Sequence, residues 1–358
     1  MANLNALMND RLIRALLRQP VDRTPVWFMR QAGRSLPEYR ESRAERDMFD
    51  LLRDPPAAAD ITALPLEYYP VDAAVLYNDL STPYFAAGFD VEMRKGFGPV
   101  VRNPIERPQD VDRLIPFEPR NALDFSLEQI RILVNRLDVP VLGFVGAPFT
   151  LCSYLITSQR SRDLAEIKTF MWSETDAWHR LAGFWAKHMG EFAVAQYEAG
   201  AAAIQVFDSW VGALGPEDYQ EFVLPHTRAL FERMETAGVR SIHFFIGNPA
   251  LLPLVARAGG DAISVDWRVP IDEAWQLIGD DRAIQGNLDP CVLLAGEEYA
   301  LRRTKEILDR VGGRAGHIFN LGHGILADTD WRVVRAVIDF VHDYTGQRGR
   351  AERRCGNA

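Results

Sequence analysis

The sequence predicts an α/β protein, a single (β/α)8 barrel of the TIM type with an N-terminal helix and an excursion after the second β/α unit. Three observations carry this. Eight apolar runs of strand length recur along 358 residues. Most are apolar on successive residues instead of alternating, as in parallel strands covered on both faces. Between them lie segments with helical periodicity, and strands alternating with helices give a parallel sheet.

In chain order, residues 3–18 pattern as an amphipathic helix. The strand expectations are Val26–Met29, Asp72–Tyr77, Val141–Val145, Ala202–Phe207, Ser241–Phe245, Ala262–Val265, Ala283–Gln285 and His317–Asn320. Among the helices, Leu181–Ala199 stops at Gly200. Another opens at Pro216-Glu217-Asp218 and runs to Ala237, where Gly238 stops it. Glu297–Val311 ends at Gly312-Gly313, and Thr329–Tyr344 follows a cap-like Asp-Thr-Asp. The Pro- and Gly-rich stretch Gly88–Arg120 fits no β/α unit and is the excursion. Residues 1–345 then form one domain, and the polar, arginine-rich tail 346–358 is expected to be disordered.

Composition narrows the function. A length of 358 would allow two domains, but barrels of this size are routinely one. The net charge of −9 excludes a general nucleic-acid binder, so an anionic ligand must be held by a local cluster of cations. Three scattered cysteines without a C-x-x-C pair suit a reducing compartment and give neither a disulfide framework nor a cysteine zinc site. The N-terminus lacks a signal-peptide h-region, and no run of about 18 apolar residues suggests a membrane span. A cytoplasmic protein is expected.

The chemistry gathers where a barrel places its active site, at the C-terminal strand ends. After Val26–Met29 comes Arg30-Gln31-Ala32-Gly33-Arg34. Glycine permits close backbone approach and arginine grips carboxylate or phosphate through a planar fork. An arginine-rich surface loop explains that segment equally well. The other strand ends carry Asn78-Asp79, Gly146-Ala147-Pro148, Asp208-Ser209-Trp210, Gly247-Asn248, Asp266-Trp267, Gly286–Asp289 and Leu321-Gly322-His323-Gly324. Asp208 and Asp289 read as helix caps, and Asp266-Trp267 as structural. Ser209 has no G-x-S-x-G setting, Cys152 has no adjacent base, and no P-loop or G-x-G-x-x-G sits at a strand-to-helix turn. One carboxylate, several arginines, a histidine, Tyr154 and Ser209 remain. That set suits cofactor-free chemistry on a carboxylate-rich substrate passing through a cationic intermediate.

The motifs PVWFMRQAGRSLPEYRESR, PVDAAVLYNDL, GFVGAPFTLCSYL, FDSWVGALGP, QGNLDP and NLGHGI, in this order, closely resemble the uroporphyrinogen decarboxylase family across residues 20–345. The resemblance implies a (β/α)8 barrel, a homodimer and no metal or organic cofactor. It also implies decarboxylation of the four acetate side chains of uroporphyrinogen III to give coproporphyrinogen III. Carried over by motif, Arg30, Gln31, Ala32, Gly33 and Arg34 match the substrate-binding loop, and Arg43 a further substrate-contacting arginine. Asp79 matches the central aspartate, while Tyr154, Ser209 and His323 match the remaining pocket residues. Asp79, Arg30 and His323 are the expected catalytic residues. A proton from a substrate carboxyl or a water relayed by His323 is easier to supply than one from Arg30. Phe28, Phe85 and Phe149 are candidate walls of the pocket, with core packing the stronger expectation for each.

Two stretches depart from the family pattern. LITSQRSRD after Tyr154 lacks its glycine-rich segment, and Phe245-Ile246-Gly247-Asn248 replaces a lysine-containing turn. Two rival readings stand beside the resemblance, a non-catalytic tetrapyrrole-binding protein and a zinc-dependent corrinoid or folate methyltransferase of the same superfamily. Missing His/Cys ligand sets count against the second.

Overall fold

The fold follows from how the apolar strands share their two faces. In a computed structural model, residues 9–94, 98–156 and 163–355 are described. Seven parallel strands form one sheet, each beside the next in chain order. They are β1 (Ala74–Val75), β4 (Val141–Gly146), β5 (Ala203–Gly212), β6 (Ser241–Gly247), β7 (Ala262–Ser264), β8 (Ala283–Leu288) and β9 (His317–Leu321). The remaining two, β2 (Val91–Arg94) and β3 (Gly98–Val101), form a separate antiparallel ribbon inside the expected excursion.

The sheet is buried on both sides. Leu142, Ala203, Ile242, Ala262, Ala283 and Ile318 pack on one face with Leu12, Ile13 and Leu16 of the helix Arg11–Leu16, which plugs the end where the strands begin. Val145, Ile204, Val206, Ile263 and Ile284 face the covering helices. This double burial is why the strands read as unbroken apolar runs. A polar layer crosses the inner face: Trp27 donates to Gln285 at 2.9 Å, and the Gln285 amide donates to Gln205 and Ser264 at 2.9 Å each.

The expected first strand is not a strand. Val26 makes only an isolated parallel bridge to Phe319. The Val26 N–H donates to the Asp72 carboxylate and the Phe28 N–H to the Gln31 side chain, while Pro25 has no N–H at all. Side chains therefore take the donors a ladder would need. The segment still bonds toward both edges of the sheet, Phe319 N–H to Pro25 O at 2.9 Å and Asp72 N–H to Val26 O at 2.7 Å.

Most helices match expectation with shifted ends. Of the helix expected over 3–18, residues 1–8 lie outside the described part, and Arg11–Leu16 is helical. The run from Pro216 is interrupted by a π-helical turn, Tyr219–Val223, before Leu224–Thr236 continues. Glu297–Val311 is as read, closed by Gly312 in the left-handed region at φ +65. The last helix runs Trp331–Cys355, through part of the tail expected to be disordered. Gly346 and Gly349 oppose a helix there, but the Gln, Arg, Ala and Glu around them are good helix formers.

Buried histidines make this fold sensitive to acid. His317 is 3% exposed, donates from Nε2 to Gly286 O at 3.1 Å, and burial pushes its pKa down to about 4. His226, hydrogen-bonded to His179, is likewise lowered to about 4, by burial and then by the neighbouring His179. Below about pH 6.5 the unfolded chain takes up protons that the fold refuses. Stability is therefore full above that pH and falls as the pH drops toward 4, by on the order of 3 kcal/mol for a fully buried histidine. Urea unfolding from pH 8 to 4 should show this slope, and His317→Gln should flatten it. An unchanged slope in the variant would assign the acid loss to other groups.

Candidate active site

The site begins with a strained residue. Arg30 sits at φ +60, a region sparsely used by non-glycine residues, which costs about 1–3 kcal/mol. Local bonds hold it there: Gln31 N–H to Phe28 O at 3.1 Å, Ile325 N–H to Met29 O at 2.9 Å, and the Gln31 side chain between Phe28 N–H and Ala73 O, both at 3.0 Å. Gln31 is fully buried and its amide is committed at both ends, so this residue shapes the loop and offers a ligand no side-chain atom. Gly33 is required by close approach, since a Cβ there would lie 2.6 Å from Arg30 O. Ala32 packs partly buried against the core.

Arg30 and Arg34 are exposed, and Arg43 lies half-buried on the helix Pro37–Glu45. Among the described residues none of the three has a carboxylate partner. Most arginines elsewhere in this acidic chain do, as in Arg11–Asp22, Arg233–Glu191 and Arg310–Asp272. Unpaired arginines beside a fixed loop are open to an anion.

Asp79 follows β1. Its Oδ1 accepts the Ser81 N–H at 2.9 Å and the Ser81 hydroxyl, and its own N–H donates to Asn78 Oδ1 at 2.9 Å. Among the described residues Oδ2 takes no hydrogen bond. The charges of Asp79 and Arg43 both bear on the Tyr77 hydroxyl, although burial is the main reason its pKa is raised. Burial, then Tyr154, Cys152 and Asp79, push the Tyr84 hydroxyl pKa up.

His323 lies between two glycines at the end of β9. A Cβ on Gly324 would lie 2.5 Å from Arg30 Cδ, and one on Gly322 would lie 2.8 Å from Asp266 Cα. Burial, then Arg30 and Arg268, lower the His323 pKa to about 4, so the ring is neutral at pH 7. Its Nδ1 accepts the Gly324 N–H at 2.7 Å, which puts the proton on Nε2. Such a ring donates a hydrogen bond, but the expected relay would need Nδ1 released from Gly324.

Tyr154, on the helix Pro148–Ile156, meets Trp210 edge-on at 5.9 Å, and Ser209 precedes that Trp on β5. Asp79 follows β1, Ser209 lies near the end of β5, His323 follows β9 and Arg30 follows the Val26 bridge, while Tyr154 stands on the helix after β4. LITSQRSRD lies largely outside the described residues, which omit 157–162.

The three phenylalanines considered as walls pack in the core, the stronger expectation for each. Phe28 and Phe149 are fully buried in the core, and Phe85 packs on Phe49 with Arg53 over its ring. Phe144, Phe207 and Ile246 instead stand partly open above the inner core. Phe207 also meets Phe244, 5.2 Å away, whose ring lies 6.1 Å from His323. Period-two alternation along β4, β5 and β6 carried this signal.

Three aspartates read as structural fall differently. Asp289 does cap, accepting from Cys291 N–H at 2.9 Å. Asp266 holds Gly247 N–H and Arg268. Asp208 caps nothing, because β5 continues to Gly212 and its side chain faces the helices. There it accepts the Thr150 hydroxyl at 3.0 Å and lies 3.9 Å from His243.

Two cavities away from these residues are no rival site. An apolar one of about 90 Å³ beside Phe49, Phe85 and Leu123 is too small for a macrocycle. One of about 350 Å³ near Arg18, Asp261 and Arg282 lies at the opposite end, where the strands start. Among the described residues no group of three or more His, Cys, Asp or Glu could hold a metal ion, and no helix is long and apolar enough to cross a membrane.

Seven parallel strands in chain order, buried on both faces, define an α/β protein of the barrel-like class. The chain matches the family described as uroporphyrinogen decarboxylase (URO-D) over residues 7–344, and it belongs to that family. It is 46% identical to the uroporphyrinogen decarboxylase of Sorangium cellulosum, over 94% of this chain and 96% of that one. The enzymes of Chloroflexus aggregans and of a Thermus thermophilus strain are 43% and 44% identical, again over 94% of this chain and over 96% and 98% of theirs. Among solved structures, a methyltransferase from Methanosarcina mazei aligns with a TM-score of 0.78 over 94% of this chain and 98% of that one, at 20% identity. A B12-independent methionine synthase from Shewanella aligns at 0.53, with 15% identity over 84% of this chain and 89% of that one. These two likenesses show the fold alone.

Proposed function

We propose that this chain is a carboxy-lyase of porphyrin biosynthesis. It removes CO2 from the four acetate side chains of uroporphyrinogen III, yields coproporphyrinogen III, and uses no metal or organic cofactor. The observation that carries this is the match to the family over nearly the full length, in a chain whose Arg30, Arg34 and Arg43 have no carboxylate partner among the described residues. We further infer that the Val26 segment is the eighth stave of a closed (β/α)8 barrel, from its bonds to Phe319 and Asp72, that residues 1–345 act as one domain, and that the protein works in the cytoplasm as a homodimer.

The substrate carries eight carboxylates. Arg30, Arg34 and Arg43 bind and orient some of them through charge-assisted pairs. Asp79 Oδ2 accepts pyrrole N–H groups and holds the macrocycle around itself. A proton added to a pyrrole ring carbon makes the ring cationic. The bond between the acetate CH2 and its carboxylate then breaks, CO2 leaves, and the electron pair flows into the ring and neutralises it. A proton on the exocyclic carbon completes the methyl group and loss of the ring proton restores the pyrrole, so each acetate consumes one proton net. Asp79 stabilises charge that exists only along this path, which lowers the barrier instead of only tightening binding. Neutral His323 donates from Nε2 to a substrate carboxylate. Tyr154 and Ser209 border the same mouth.

Anaerobic incubation with uroporphyrinogen III, followed by chromatography of the oxidised porphyrins, tests the reading. Stepwise loss of carboxyls without added cofactor supports it. Tight binding with no CO2 release would instead mark a non-catalytic tetrapyrrole binder. His323→Asn should slow the later steps, with partly decarboxylated intermediates accumulating; an unchanged product distribution would remove His323 from substrate handling.

A further inference from the structure

A second arginine stands on the turn packed against Gly322, next to the histidine in the chain, whereas Arg30 packs against Gly324. Arg268 follows β7 in the turn Asp266-Trp267-Arg268, which several bonds fix. Asp266, 2% exposed, accepts Gly247 N–H on Oδ2 and Arg268 N–H on Oδ1, each at 2.8 Å, and its Oδ2 also takes Arg268 Nη1. The Asn287 amide on β8 donates to Asp266 O at 3.0 Å and to Val269 O at 2.8 Å, clamping the turn at both ends. The guanidinium stands 4.8 Å over the Trp267 ring. The next loop is packed onto this turn, since a Cβ on Gly322 would lie 2.7 Å from Trp267 Cε3. His323 therefore sits between the Arg268 turn on its Gly322 side and the Arg30 stem on its Gly324 side.

Arg268 is more than a counter-ion for Asp266. One buried carboxylate occupies one of its five N–H donors, and 47% of its side chain remains exposed. A guanidinium already oriented by a carboxylate and an aromatic face loses little freedom when it takes a second anion.

We propose that Arg268 is a substrate-contacting, specificity-determining residue, binding a carboxylate of the tetrapyrrole on the Gly322 side of His323. The inference rests on the function proposed above. Four successive decarboxylations remove half of the substrate's carboxylates, so an extra fixed cation governs which partly decarboxylated intermediates are retained.

The test compares Arg268→Ala, Arg268→Gln and Arg268→Lys in the full chain, measuring KM, kcat and the intermediates released. Ala and Gln should raise KM roughly tenfold or more, as expected for loss of a charge-assisted bond. They should also release more hepta- to pentacarboxylate intermediates, and Lys should restore part of both. Gln keeps a donor for Asp266 and serves where Ala fails to fold. KM and intermediate profile within twofold of the parent in the Gln variant would overturn the proposal, as would a lower melting temperature with KM unchanged. Failure of the parent enzyme to decarboxylate would instead overturn the function itself.

Discussion

Asp79→Asn is expected to keep the fold and lose turnover by roughly 10²–10³, the usual effect of removing one preorganised electrostatic contact. The substitution is isosteric. The remaining oxygen can still accept the Ser81 N–H and hydroxyl that hold the side chain, so the turn before the helix Thr82–Ala86 should survive. The variant lacks the negative charge opposite a cationic pyrrole. If its NH2 occupies the Oδ2 position, it also presents donors to the pyrrole N–H groups. Single-turnover decarboxylation, read beside circular dichroism and a melting curve, separates the two effects. Turnover within tenfold of the parent, in a variant with an unchanged melt, would sink the electrostatic role.

The second large effect lies away from the chemistry. Asp72→Ala should destabilise the protein by about 3–5 kcal/mol, the range for breaking a buried, hydrogen-bonded ion pair. Asp72 is 1% exposed and gathers three distant segments. His342 Nε2 donates to it at 2.7 Å, Val26 N–H at 2.8 Å, Asn9 at 2.9 Å and Arg11 at 3.4 Å. Burial by itself would raise its pKa, but His342, Asn9 and the Val26 N–H more than reverse this and hold it below the usual range. Its stabilisation is therefore present above the ordinary carboxylate pKa and lost as the pH falls through the lowered one. Removing the carboxylate releases the N-terminal segment, the Val26 bridge and the last helix together. A shift in urea midpoint worth less than about 1 kcal/mol would show that packing alone holds these segments.

Much of this protein is written locally. The alternation of apolar runs with helical periods placed all seven sheet strands, because double burial is a property each strand carries in its own residues. The strand-end clusters were legible for the same reason, since the residues that leave a parallel strand must stand at one end of the sheet. The order and spelling of the motifs identified the family, which the match over residues 7–344 shows.

What the sequence could not carry is pairing between distant residues. Val26–Met29 has the apolar run of a strand, yet Asp72, 46 residues away, takes one of its ladder donors. Gln31 stands in the middle of the anion loop, but its amide is spent on Phe28 and on Ala73, 42 residues on. Phe28 and Phe149 are as apolar as Phe144 and Phe207, and only the curl of the sheet decides which of them meets the mouth. The proton position on His323, the hub at Asp72 with a partner 270 residues away, and the packing of the Arg268 turn against Gly322 likewise arise only once the strands lie side by side. Periodicity and residue type are local quantities, so the chain alone determined the sheet strands, the family and the candidate reactive groups. Hydrogen bonds and burial between remote segments exist only in the folded state, and they decided which of those groups are spent on structure and which stay open to a ligand.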